Sequence, residues 1–65
     1  MNNIRQTLEL AQKLHNNIKV FTEIESNDFF EYPFKFSLEN EDLTIYSDQA
    51  WVQYPLDVIN RIEIW

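Results

Sequence analysis

The segment at residues 29–38 constrains the fold of this chain more than any other feature. From Phe30 to Leu38 every second residue is apolar, and the residues between them are Glu31, Pro33, Lys35 and Ser37. A period of two places successive side chains on opposite faces of a strand. The sequence therefore predicts a half-buried β-strand over residues 29–38. Because Pro33 has no N–H to donate, we expect a sheet edge or a bulge at that position.

An amphipathic helix is predicted ahead of this strand, over residues 3–16. The apolar residues that recur at steps of three and four are Ile4, Leu8, Ala11, Leu14 and Ile18. This spacing gives one apolar stripe on a helix. Asn2 or Asn3 is expected as the N-cap, and Asn17 is expected to end the helix in the left-handed conformation.

Shorter patterns predict the rest of the sheet. Strands are expected at residues 19–25, 43–46, 50–54 and 61–65, with one helical turn after Pro55. The fold class is therefore α+β, with the N-terminal helix packed on an antiparallel meander of four or five strands. The alternative is a small SH3-like or Sm-like barrel with an N-terminal helix. The segment from Leu43 to Ile64 looks like the second half of an Sm-like barrel, because its predicted elements are a strand, a tight turn, a strand, a helical turn and a strand.

Length and composition exclude several classes of protein. A chain of 65 residues is expected to form a single domain over residues 1–65. It has no cysteine and no glycine, which excludes disulfides, thiolate metal sites and glycine-rich phosphate loops. Ten aromatic residues supply most of the apolar surface available for burial. No signal peptide or membrane span is recognisable, so a cytoplasmic location is expected.

Catalysis has few candidate residues. His15 is the only histidine and falls near the middle of the apolar helix stripe, which favours a packing role. Glu39, Glu41 and Asp42 form an acidic cluster without the glycine and the ligand spacing of a calcium loop, which is typical of a solvated turn. We expect that the chain is not an enzyme and uses no cofactor or metal.

The net charge of −6 is unevenly distributed along the chain. Residues 1–22 carry a net charge of +2, whereas residues 23–65 carry −8. An acidic surface repels nucleic acid and anionic lipid, whose binding depends on lysine and arginine. Direct binding of nucleic acid or of membranes is therefore disfavoured.

Two sets of residues are candidates for binding a partner. The acidic set is Glu23, Glu25, Asp28 and Glu31, whose carboxylates on neighbouring strands are able to imitate a phosphate backbone. The alternative is that an acidic solvent face only keeps the protein soluble. The aromatic set lies on the outward phase of the strands, namely Phe21, Phe29, Tyr46, Trp51 and Trp65. Trp51 or Trp65 is the expected interface anchor. The alternative is that the helix covers one face and that curvature or barrel closure buries these rings.

Three hypotheses of function follow. The first is a small acidic inhibitor that docks on a larger, basic host protein such as a nucleic-acid enzyme. In size, charge and lack of catalytic groups the chain resembles phage-encoded anti-defence and anti-CRISPR proteins and bacterial immunity proteins, which implies a phage or mobile-element origin. The second is a structural subunit that self-associates through an Sm-like or strand-paired interface. The third, a nucleic-acid-binding regulator, is disfavoured because Arg5, Lys13 and Lys19 supply too little positive charge.

Overall fold

The computed structural model describes residues 3–24, 27–48 and 50–65. One α-helix, α1, spans Ile4–Leu14, and one 3-10 turn spans Leu56–Val58. The strands are β1 (Ile18–Thr22), β2 (Asn27–Phe30), β3 (Lys35–Glu39), β4 (Asp42–Tyr46), β5 (Trp51–Pro55) and β6 (Ile59–Ile64). No helix within these residues is both long enough and apolar enough to cross a membrane.

The strands form two antiparallel sheets of three strands each. Sheet A has the order β2-β1-β6, and sheet B has the order β3-β4-β5. The α+β class is confirmed by this arrangement. The strands described here do not form the expected meander of four or five, because the chain passes from one sheet to the other between β2 and β3.

The predicted continuous strand at residues 29–38 is wrong in extent. The strand β2 ends at Phe30, and β3 begins only at Lys35 in the other sheet. Pro33, preceded by a cis peptide bond, lies in the break and has no N–H for a ladder. The backbone around it is held from outside the sheets. Tyr32 donates its N–H to Asn17 Oδ1 at 2.9 Å, and Gln12 Nε2 donates to the carbonyl of Phe34 at 2.8 Å.

The helix buries Ile4, Leu8 and Ala11 and lies next to β6. It ends two residues earlier than expected, because His15 rather than Asn17 takes the left-handed conformation, with φ of 59°. His15 is therefore exposed at the helix end and stacks on Tyr32, instead of packing within an apolar stripe. Asn3 is the N-cap without a side-chain hydrogen bond, and Asn2 lies outside the described residues.

Two predicted strand ends are also corrected. The strand β1 stops at Thr22 rather than residue 25, and Glu23 lies in a turn where its N–H bonds to the carbonyl of Val58. The last strand begins at Ile59 rather than 61, since the 3-10 turn after Pro55 occupies only three residues. Strands β4 and β5 match their predicted ranges to within one residue at each end.

The hairpin between β3 and β4 turns without glycine. Asn40 and Glu41 have φ of 50° and 65°, and they join the paired residues Glu39 and Asp42. Positive φ at both central positions is the requirement of the two-residue turn that suits the twist of a hairpin. The carbonyl of Glu41 also accepts a hydrogen bond from the N–H of Leu56, which ties this turn to the 3-10 segment.

The core lies between the helix and the two sheets. Its buried apolar residues come from α1, from both sheets and from the segment between β2 and β3: Ile4, Leu8, Ala11, Ile18, Val20, Phe30, Phe34, Leu43, Ile45 and Tyr54. Alternation in each strand turns the intervening side chains outward. These outward side chains form the candidate sites.

Candidate functional site

The outward side of sheet A carries an unusual combination of rings and charges. We call it the aromatic face, and it consists of Lys19, Phe21, Phe29, Arg61, Glu63 and Trp65. Strand register brings these side chains together. Lys19 on β1 pairs with Phe29 on one side and with Glu63 on the other, and Phe21 pairs with Arg61. Trp65 extends β6, because its N–H and carbonyl both bond to Asn17.

The two cations of the aromatic face already have partners within it. The guanidinium carbon of Arg61 lies 4.0 Å from the centre of the Phe21 ring, and Arg61 Nε lies 2.8 Å from Glu63 Oε2. Lys19 Nζ lies 5.4 Å from the ring centres of both Phe21 and Trp65. These are cation–π distances. These contacts place both cations of the face directly beside its rings.

The rings of the aromatic face remain accessible. Trp65 is 59% exposed and Phe29 is 49% exposed, while Phe21 is half-buried under Lys19 and Arg61. On the outward side of sheet B, Tyr46 pairs with Trp51, which is 63% exposed. Alternation thus identified the outward rings correctly, but only strand register shows that they divide between two faces.

The acidic candidates are spread over the molecule. Glu23 and Glu31 are both exposed. Because Ile18 pairs with Phe30, Glu31 lies opposite Asn17, six residues before Glu23 along the β1 direction. At about 3.3 Å per residue their backbones are about 20 Å apart. Glu25 lies outside the described residues. Glu23 and Glu31 therefore do not lie close enough to form a ladder of neighbouring carboxylates.

Asp28 has a contact that the sequence did not predict. Its Oδ2 accepts a hydrogen bond of 2.6 Å from the hydroxyl of Tyr54. Asp28 is on β2 and Tyr54 is on β5, so the bond joins the two sheets. The pKa of Tyr54 is raised well above that of an ordinary tyrosine, mainly because the hydroxyl is buried. The hydrogen bond to Asp28 and the charge of Asp28 raise it further. This carboxylate therefore has an internal role.

A second candidate surface was missed by the sequence reasoning. Two adjoining cavities of about 290 and 250 Å³ lie where the chain passes from β2 to β3. Both are lined by Pro33, Ser47 and Asp48; we call them together the crossover groove, formed by residues 29–35 and 46–48. The sequence indicated only an edge or a bulge at Pro33, and no local pattern indicated that Pro33 lies beside Ser47 and Asp48.

A larger cavity of about 490 Å³ lies between the start of α1 and β6. It is open to solvent, and Arg61, which already contacts Phe21 and Glu63, is the charged side chain in its lining. Within residues 3–24, 27–48 and 50–65, no cluster of three or more histidine or acidic side chains is arranged to hold a metal ion. Glu39, Glu41 and Asp42 thus belong to the β3–β4 hairpin and to no such cluster.

Comparison with models of protein families, with curated proteins and with solved structures finds no match. The aromatic face and the crossover groove meet at Phe29, which belongs to both.

Proposed function

We propose that this chain is a protein-binding module of the inhibitor type, which docks on a larger protein through the aromatic face. The observation that carries the proposal is the exposed Trp65 ring beside Lys19, on a face whose cations are already bound to rings and to Glu63. Tryptophan and arginine are the residues most enriched in interface hot spots. Trp65 is the anchor in this proposal.

The low cost of covering the aromatic face supports this choice. Burying an unpaired charge at an interface costs several kcal/mol, and ordering a long side chain costs about 0.5–1.5 kcal/mol. Arg61 is held by both Phe21 and Glu63, and Lys19 is held between two rings. A partner that covers this face therefore has fewer side chains to order than on an ordinary mixed surface. It also buries fewer charges that lack a partner.

The acidic residues have a steering role in the proposal. A net charge of −6 accelerates association with a basic partner through long-range attraction. This does not require Glu23 and Glu31 to be neighbours, whereas imitation of a phosphate backbone does. The resemblance in size and charge to anti-defence proteins makes a basic nucleic-acid enzyme the first class of partner to test.

For the fold, we propose a small barrel of the SH3-like or Sm-like type in preference to an open meander. Three features support it. The segment at residues 29–38 contributes one strand to each sheet, a two-residue turn joins β3 to β4, and one 3-10 turn precedes the last strand. The two sheets share one apolar core and are joined by the bond between Tyr54 and Asp28.

Self-association is the second candidate function, and the edges of sheet B favour it. Strands β3 and β5 each pair only with β4 among the described strands, so each has an open backbone edge. Such edges pair readily with another chain. Light scattering at micromolar concentration separates the candidates, because a stable dimer or ring favours self-association and a monomer favours the inhibitor.

A capture experiment tests the main proposal. The wild-type chain and the variants Trp65→Ala and Trp51→Ala are immobilised and exposed to a lysate of the organism that carries the gene. Trp51 is the matched control, because it is equally exposed but lies on sheet B. We expect one basic protein to be retained by the wild type and by Trp51→Ala, and to be lost from Trp65→Ala.

The opposite pattern would contradict the proposal. If the same protein is lost from Trp51→Ala and retained by Trp65→Ala, the docking surface lies on sheet B instead. Thermal unfolding of each variant is recorded alongside, so that loss of binding is separated from loss of folding.

A further inference from the structure

We propose that the crossover groove binds an extended, proline-containing segment of the partner that carries lysine or arginine. This inference rests on the proposed function only in assigning the segment to a partner protein. The binding itself is a property of the purified chain.

The rings of the groove supply the apolar contact. Phe29 and Tyr32 line the first cavity and Tyr46 lines the second, and all three rings are exposed. Pro33 lines both cavities. Neighbouring rings at a groove accept proline side chains, and a polyproline II segment loses little entropy on binding because it is extended beforehand. The two cavities share Pro33, Ser47 and Asp48 in their linings and therefore lie side by side along the crossover.

The walls of the groove are fixed by contacts on both sides. Tyr32 stacks on His15 with ring centres 4.5 Å apart, and its N–H bonds to Asn17. Opposite, the Ser47 hydroxyl donates to the carbonyl of Ala50 at 2.9 Å and accepts the N–H of Ala50 at 3.3 Å, which holds the turn that carries Asp48. Binding to a groove whose walls are held by such contacts costs less conformational entropy.

Charge selects a basic segment. Glu31 and Asp48 line the first cavity, and neither belongs to an ion pair in the part of the chain that the structure describes, where the salt bridge is Arg61–Glu63. Lys35 lines only the second cavity. Glu31 lines only the first cavity, whereas Asp48 lines both, so the lysine or arginine of the segment is placed in the first cavity, at Glu31 and Asp48.

The groove is continuous with the aromatic face through Phe29. A partner docked on the aromatic face therefore has its chain next to the groove entrance. The protein is 26 Å across. At about 3.1 Å per residue, an extended segment of about eight residues spans it.

The test is a titration of the purified chain with a fluorescein-labelled peptide of about eight residues that alternates proline and arginine. We expect saturable binding that weakens about tenfold or more in Glu31→Lys/Asp48→Lys, because both carboxylates that receive the arginines are reversed. Glu9→Lys/Asp57→Lys is the matched control, since it reverses two exposed carboxylates that lie outside the groove, and it should bind nearly as well as the wild type. Tyr46→Ala tests the ring contact and should also weaken binding.

Two peptide controls and one mapping experiment complete the test. Replacement of the prolines by alanine should weaken binding, and amide shifts should concentrate at residues 29–35 and 46–48. The inference is overturned if the peptide does not bind, if Glu9→Lys/Asp57→Lys weakens binding as much as Glu31→Lys/Asp48→Lys, or if the alanine peptide binds equally well. A single-stranded oligonucleotide that competes for the groove would also overturn it. None of these results depends on capture through Trp65, so the inference and the proposed function can fail separately.

Discussion

The hydroxyl of Tyr54 donates a 2.6 Å hydrogen bond to Asp28 and thereby joins β5 of one sheet to β2 of the other. Tyr54 is almost fully buried, and Asp28 is half-buried beside it. A hydrogen bond to a charged group contributes more to stability than one between neutral groups. The bond therefore stabilises the contact between the two sheets, and the crossover groove lies where the chain passes from one sheet to the other.

Removal of this hydroxyl should destabilise the protein. We expect Tyr54→Phe to lower the free energy of unfolding by about 1.5–3 kcal/mol, because Asp28 loses its donor at a partly desolvated site. Urea unfolding monitored by circular dichroism measures the change. Tyr46→Phe is the control, since the Tyr46 side chain is exposed, and it should change stability by less than about 0.5 kcal/mol.

The same tyrosine should make stability depend on pH in the alkaline range. In the unfolded chain Tyr54 loses its proton near pH 10, whereas burial and Asp28 raise its pKa in the folded state. Above about pH 10 the folded state therefore binds more protons than the unfolded state, and stability falls as pH rises. We expect this residue to contribute a slope approaching about 1.4 kcal/mol per pH unit, with its full stabilisation present below pH 10.

Urea unfolding of the wild type and of Tyr54→Phe from about pH 8 to about pH 11 measures this slope. The difference in stability between the two proteins should shrink above about pH 10, because the variant has no ionisable group at this position. An unchanged difference across that range would mean that the hydroxyl is not desolvated in the folded protein.

The β3–β4 turn offers a stabilising substitution. Glu41 has φ of 65°, a conformation that costs a residue with a Cβ about 1 kcal/mol and costs glycine almost nothing. We expect Glu41→Gly to raise the free energy of unfolding by about 0.5–1 kcal/mol. Glu39→Gly is the control. It places glycine in a strand and should lower stability, so equal effects of the two substitutions would contradict the turn geometry.

The helix should be essential for folding. Leu8 is completely buried between the helix and the sheets, and replacing a buried leucine with alanine costs about 2–5 kcal/mol. A core of this size supplies only about 3–5 kcal/mol in total. We therefore expect Leu8→Ala to be largely unfolded at room temperature by circular dichroism. Leu10→Ala should remain folded, because Leu10 is 47% exposed.

Much of the fold could be predicted because it depends on local periodicity. Alternation correctly placed Phe30 and Phe34 inward and Trp51 and Trp65 outward. The same alternation could not show that the segment is divided between two sheets, since the period of two continues through the break at Pro33. Which strand pairs with which is decided by hydrogen bonds over long sequence distances, and these leave no local pattern.

The candidate binding surfaces were also predictable only where they depend on local periodicity. The exposed rings were predictable one at a time, but the contact of Arg61 with Phe21 requires the register between β1 and β6. Asp28 looked like one more surface carboxylate, because its partner Tyr54 lies 26 residues away in the sequence. The helix end was mispredicted at Asn17, because His15 adopts the left-handed conformation and its ring stacks on Tyr32.

The central claim is that the aromatic face is the docking surface, and the affinity of the captured partner for purified variants tests it most directly. Isothermal titration should give a dissociation constant that rises about 30-fold or more in Trp65→Ala, the loss typical of a hot-spot residue. Trp51→Ala should bind within about threefold of the wild type. If the wild type and Trp65→Ala are both folded and bind the partner with equal affinity, the account is contradicted.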